Sequence, residues 1–200
     1  MRTYHVLDLG PCVIMGAVSG VPAIRTQRFE LVSMSLPFMQ TLLAGDVATA
    51  EQEIGATIPP DLAEQLDHFL QFRIADLTVD PSAQPWLGRA IVRTDPDGSR
   101  RVIGTCGFHS PPDDTGRVEI GYRVEAAERR KGVATEVVRA LLDWAVVEHG
   151  VNRFRASVAP DNLPSLAVVA KFGFRQVGVQ IDDIDGEELV FELDDWAATA

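Results

Sequence analysis

Between Arg129 and Thr135 the chain reads Arg-Arg-Lys-Gly-Val-Ala-Thr, three cations followed at once by small residues. That order suits a highly charged anion. Gly132 and Ala134 let the backbone approach a ligand closely, while Arg129, Arg130 and Lys131 supply positive charge. An apolar-periodic segment follows, so the turn opens a helix whose first amides lack intrahelical partners and point outward. The chemistry this points to is capture of a diphosphate. Just upstream, Val118-Glu-Ile-Gly-Tyr-Arg-Val124 alternates as a strand does, with Val118, Ile120 and Tyr122 on one face and Glu119 on the other.

The spacing Arg129-x-x-Gly132-x-Ala134 resembles the acetyl-CoA signature of the GNAT superfamily of N-acetyltransferases. Downstream, Asn162-x-x-Ser165 through Lys171-Phe-Gly-Phe174 resembles that family's next helix and strand. The resemblance runs from about Ile24 to Leu193 and is sharp from Val118 to Phe174. Its nearest subgroup is the ribosomal-protein N-terminal acetyltransferases, with small-amine and antibiotic-modifying relatives. It implies an α+β fold with a mixed, mostly antiparallel twisted sheet of about six to seven strands flanked by helices. It also implies acetyl-CoA as acyl donor, no metal, and direct transfer to a primary amine in a ternary complex. The acceptor would be a protein N-terminus or a polyamine- or aminoglycoside-like amine, and such transferases are often homodimers.

Residue by residue, the resemblance has the strand edge at Gly121–Val124, with Tyr122 and Val124, pairing with pantetheine. The pyrophosphate would lie on Arg129 and the amides of Arg130, Lys131, Gly132, Val133, Ala134 and Thr135. Glu119 occupies the position of the base that deprotonates the acceptor; the plain structural reading is a solvent-facing strand carboxylate. Asn162 would cap its helix, and in the family it also contacts the pantetheine arm. Ser165 stands where some relatives place a Ser that protonates the departing thiolate, or it is a packing residue. In one respect the chain departs from the family. Many members carry a general-acid Tyr seven residues after the Asn; here that residue is Val169, and the two tyrosines are Tyr4 and Tyr122. A catalytically weak acyl-CoA sensor, or a transferase of longer acyl groups, therefore stays open beside the acetyltransferase.

The elements that must position these residues read as follows. Ile24–Met34 is a first strand, and 37–44, 46–55 and the stretch from Asp61 are helices, with Asp46 as an N-cap. Trp86–Val92, Arg101–Phe108 and Val118–Val124 form three consecutive antiparallel strands, joined through Asp95-Pro-Asp-Gly98 and Pro111–Gly116. A long helix carries Val133, Val137, Val138, Leu141, Leu142, Ala145 and Val146 as one stripe and ends at Gly150. Phe154–Ala159 is a strand, Asn162–Phe172 a helix with Pro164 in its first turn, and 174–181 with 189–193 a closing hairpin. The domain spans 24–195, with 1–23 as a leader or extra strand and 196–200 as a tail. Trp86 and Phe108 read as core or wall residues, and Trp196 as an anchor for the tail.

The remaining residues are less informative. His109 precedes the Pro111-Pro112 loop and is a candidate for the acceptor entrance, whereas His68 and His149 read as structural. Cys12 and Cys106 are too few for a disulfide framework and have no metal-ligand spacing around them. Gly-x-Ser-x-Gly, Gly-Lys-Ser/Thr and the three-glycine dinucleotide fingerprint are all missing, which argues against a hydrolase, a nucleotide triphosphatase and a dehydrogenase. The net charge of −11 disfavours nucleic acid. Residues 181–200 hold eight acids and no Lys or Arg, a field that would attract a cationic acceptor or merely solvate the surface. No apolar run reaches the ~20 residues of a membrane span, and the chain reads as cytoplasmic.

Overall fold

The computed structural model describes residues 20–182, 184 and 186–198. Most of the segment read as a leader or extra strand lies outside them, with Tyr4, His5 and Cys12, as does part of the acidic 182–185 loop. The strands are β1 Ile24–Arg25, β2 Phe29–Ser33, β3 Arg89–Thr94, β4 Arg100–Phe108, β5 Arg117–Val124, β6 Arg153–Val158, β7 Arg175–Asp182 and β8 Gly186–Leu193. The helices are α1 Leu36–Leu43, α2 Val47–Ile54, α3 Pro60–Gln65, α4 Asp67–Val79, α5 Val133–His149 and α6 Leu163–Lys171. One sheet of order β1-β2-β3-β4-β5-β6-β8-β7 carries them. Every neighbouring pair is antiparallel except β5 and β6. This is the expected α+β architecture.

The sheet has eight strands where six to seven were expected, because the first strand divides. Thr26 turns the chain, its hydroxyl accepting from the amides of Arg28 and Phe29. β3 begins later than expected: Trp86 precedes the ladder, and its carbonyl accepts from the Phe108 amide. The helix expected from Asp61 is two, α3 and α4, broken at Leu66. Leu62, Leu66 and Leu70 are all buried, so the apolar period runs through the break and hides it from the sequence.

Alternation along the central strands divides the core between the two faces. Ala90, Val92 and Val102 face one cluster with α1–α4, whereas Ile91, Ile103 and Val118 face another with α5 and α6. Trp86, Phe108, Trp144 and Phe154 stack through the second cluster. Arg89 lies against the Trp144 ring and donates to the Pro22, Leu31 and Pro85 carbonyls. Burial lowers its pKa to about 10, partly opposed by nearby Cys106. Trp196 docks on Phe172 and donates to Asp143. Among the described residues no helix is long and apolar enough to cross a membrane.

Candidate active site

The site begins where the one parallel pairing ends. β5 and β6 are in register only at Arg117 with Arg153, Val118 with Phe154 and Glu119 with Arg155. From Ile120 onward β5 keeps its ladder to β4 but has none to β6. The Glu119 carbonyl accepts from the His109 amide on the β4 side. By the alternation of peptide groups, those of Ile120 and Tyr122 turn toward the gap between β5 and β6. A strand edge with free peptide groups lies open inside the sheet, as an extended ligand needs.

At the upper end of this edge the chain enters α5. Gly132 is the N-cap residue, at φ +78°, and no side chain caps the helix. Arg130 also has positive φ, at +61°. Left-handed residues at 130 and 132 lead into a seventeen-residue helix, a backbone arrangement of the kind that forms a candidate anion nest. Arg129, Arg130, Lys131 and Gly132 are exposed, Ala134 and Thr135 are half-buried, and Val133 is core. Two of the three cations are already engaged: Arg129 Nε donates to the Val124 carbonyl, and Lys131 pairs with Glu128 at 3.1 Å. Glu128 is buried yet ionised. Burial pushes its pKa up, but Arg93 and Lys131 together hold it below the usual range. These cations first shape the turn, which the sequence alone does not show.

A brace missed in the sequence supports the nest from behind. Arg28 donates to Glu136 at 2.6 Å and to the Lys131 carbonyl at 3.0 Å. Thr26 and the Arg28 amide also donate to Glu136. The β1–β2 turn is thus stapled to the first turn of α5 across more than a hundred residues, a separation that no local pattern encodes.

Glu119, Gly121 and Arg123 share the face toward α3 and α4, as alternation predicted for Glu119. The Glu119 side chain is 23% exposed, and His109 Nδ1 stands 3.8 Å from its carboxylate. The His109 ring lies over Gly121, where a Cβ would meet Nε2 at 2.7 Å. Arg73, on α4, holds the His109 carbonyl at 2.8 Å. The structure therefore brings His109 and Glu119 together at the start of the gap.

Tyr122 points to the opposite face, toward α5 and α6. Its hydroxyl is buried. Burial pushes the phenol pKa up, and the neighbouring Ser165 side chain pulls it partway back. Asn162 caps α6 by accepting from the Ser165 amide at 3.2 Å. Val169 is 4% exposed and packs in the core. Glu119 and Ser165 thus lie on opposite faces, either side of the gap. Cys106 is buried, and its thiol is pushed up to about 12 by burial despite Arg89 nearby. Among the described residues no group of three or more His, Cys, Asp or Glu side chains could hold a metal ion.

Comparison with known proteins agrees with this geometry. Residues 39–175 match the family described as Acetyltransferase (GNAT) domain. The uncharacterized N-acetyltransferase p20 of Bacillus licheniformis is 38% identical over 81 residues, 40% of this chain and 46% of that protein. The uncharacterized N-acetyltransferase YjdG of Bacillus subtilis is 26% identical over 155 residues, 76% of this chain and 88% of that protein. The chain thus spans under half the length of the first relative and most of the second. Among solved structures, the ribosomal-protein-S5-alanine acetyltransferase of Vibrio fischeri shares the fold with a TM-score of 0.57 at 15% identity, covering 90% of this chain and 100% of that one. With a nest at the start of α5, an open edge on β5 and a family match over more than half its length, the chain belongs to the GNAT acetyltransferases.

Proposed function

We propose that the protein moves acetyl from acetyl-CoA to a primary amine by direct attack within a ternary complex. The observation that carries this reading is the continuity of the free β5 edge with the uncapped start of α5. A pantetheine arm would pair along Ile120–Val124, and the pyrophosphate would rest on the amides of Val133, Ala134 and Thr135. Arg130, exposed at the turn, would close over the phosphates. Asn162, already the cap of α6, would border the arm from the other wall.

Glu119 would receive the proton of the acceptor ammonium at the start of the gap, with His109 lining the approach. Loss of that proton frees the nitrogen lone pair to attack the thioester carbonyl. The acceptor would be a protein N-terminus or a small amine. The likeness in fold to a ribosomal-protein acetyltransferase supports the first. Acidic residues on β7, β8 and the strand ends support a cationic amine less than composition implied, because Glu192 and Asp194 are already paired with Arg117, Arg153 and Arg155.

The test is a calorimetric titration with acetyl-CoA and longer acyl-CoAs, followed by thiol release with peptide N-termini and polyamines. Micromolar, one-to-one binding and turnover of one amine class are expected. Gly132→Glu, which puts an anion in the nest, should abolish binding in a folded variant; unchanged affinity would sink the assignment. Binding without turnover on any amine would favour an acyl-CoA sensor.

A further inference from the structure

The two edges of the sheet are built differently. β1 is two residues long, which blunts that edge. β7 closes the other edge with eight residues, and among the described residues no strand pairs with its outer side. A long edge strand is normally guarded by Pro or Lys along its length. β7 has neither, and its one cation, Arg175, stands at its first residue. Val177, Val179 and Ile181 alternate onto one face and are 56% to 73% exposed, and exposed Ile184 follows in the turn. That face continues the core: Val179 stands opposite half-buried Leu189, which stands opposite buried Val158. Apolar surface thus runs out to the sheet edge and stays open there. The other face is already engaged, because Gln180 donates to Ser157 and Glu188.

We propose that β7 is the contact with a second copy of this chain, the two strands pairing antiparallel about a two-fold axis at Val179. The row is self-complementary, as an isologous contact requires. Val179 then faces Val179 of the second copy, and Val177 faces Ile181 of the second copy, so all three apolar residues meet apolar partners. Arg175, the last cation of the chain, comes beside the acidic end of the other β7, at Asp182 and the residues after it. Charge also selects the direction. Parallel pairing would set the two acidic turns side by side. In the antiparallel pairing Asp182 lies opposite Gln176 and is therefore six residues along the strand from its own copy, about 20 Å. That exceeds the screening length of ~8 Å. The axis is perpendicular to the sheet, so both apolar rows lie on one face and cover each other. The outward N–H and C=O groups of each β7 find partners in the other. The contact lies three strands from β5 and is independent of the chemistry there.

Sedimentation velocity of the full-length protein should show a concentration-dependent dimer. Val179→Lys sets two like charges face to face at the axis, on a side chain that is exposed in the single chain. The variant should therefore fold, yet self-associate about 100-fold more weakly or worse. Cross-linking supplies a readout that does not need that variant. Residues directly opposite in an antiparallel pair have Cα atoms about 4.5–5.5 Å apart, within reach of a disulfide. Cys12→Ser serves as the background, because Cys106 is buried. In it, Val179→Cys treated with diamide should give a covalent dimer, whereas Val147→Cys, more exposed and on α5, should not. A parent that sediments as a single chain up to about 100 µM would overturn the inference, as would a dimer that Val179→Lys leaves intact. Cross-linking through Val147 rather than Val179 would place the contact elsewhere and overturn it too. None of these outcomes bears on acetyl-CoA binding, which calorimetry tests separately.

Discussion

Glu119 and Arg155 are the last residues of β5 and β6 in register, and the gap opens immediately beyond them. A knot of charge fixes that fork. Arg117, 6% exposed, donates to the Phe154 carbonyl and pairs with Glu192 and Asp194. Arg153 and Arg155 pair with the same two acids, and Arg153 also holds the Thr115 carbonyl. Below Glu119 the three strands β5, β6 and β8 are locked together; above it β5 is free to accept a ligand. The carboxylate expected to take a proton therefore stands on a rigid element at the fork itself.

Glu119→Gln keeps the shape and removes the base. Turnover with a primary amine should fall by about 10²-fold or more. The acetyl-CoA dissociation constant should remain within about twofold, because the free edge and the nest are untouched. Steady-state kinetics beside calorimetry separates the two effects; full activity would make Glu119 a structural carboxylate.

Gly121 exists to make room for His109, whose Nε2 would stand 2.7 Å from an added Cβ. The imidazole is 59% exposed, so it can rotate away at small cost in stability. Gly121→Ala should lower stability by under about 1 kcal/mol yet move His109 off Glu119. The expected signature is a raised KM for the amine with acetyl-CoA affinity retained. An unchanged KM would remove His109 from the acceptor path.

The sequence displayed the ends of the site better than its supports. Gly132 and Gly150 bound α5 as small residues in the left-handed region, and Asp46 and Asn162 cap helices through their side chains. These signals are local, and local signals survive in one dimension. The Arg28–Glu136 staple and the Arg117 knot join residues far apart in the chain. Nothing near Arg28 or Glu136 marks them as partners. The fork itself was legible only through family resemblance, because an alternating strand reads the same whether its far edge is paired or free.

Glu136 ties that distant support to pH. Burial raises its pKa, but hydrogen bonds from Thr26 and Arg28 and the Arg28 charge outweigh it and leave the carboxyl below its usual range. A depressed carboxylate contributes stability above its unfolded value of about 4.3 and loses it as pH falls through the folded value. The melting temperature should therefore fall as pH drops below about 4.3. Glu136→Gln should be less stable than the parent near neutrality, and the two melting curves should converge as pH falls through the folded value of the carboxyl. A difference constant across that range would show that the ionised carboxylate is not what holds the β1–β2 turn.

Gly104 tests the other end of β5. At Gly104 the β3–β4 register slips, since Ile91 faces Gly104 while Val92 faces Val102, leaving Ile103 as the extra residue of a bulge. On the opposite side Gly104 faces Val124, and an added Cβ would lie 2.2 Å from the Arg123 carbonyl oxygen and 3.1 Å from Val124 Cα. Both obstacles are backbone and cannot rotate aside. Relief requires β5 to move just where Arg129 grips the Val124 carbonyl and the nest begins. Gly104→Ala should therefore cost at least about 2 kcal/mol and also weaken acetyl-CoA. Gly98→Ala is the control: φ is +86° with open space around it, so about 1 kcal/mol and no loss of affinity are expected. Equal effects of the two substitutions on acetyl-CoA affinity would mean that the close approach of β4 to β5 does not set the geometry of the turn.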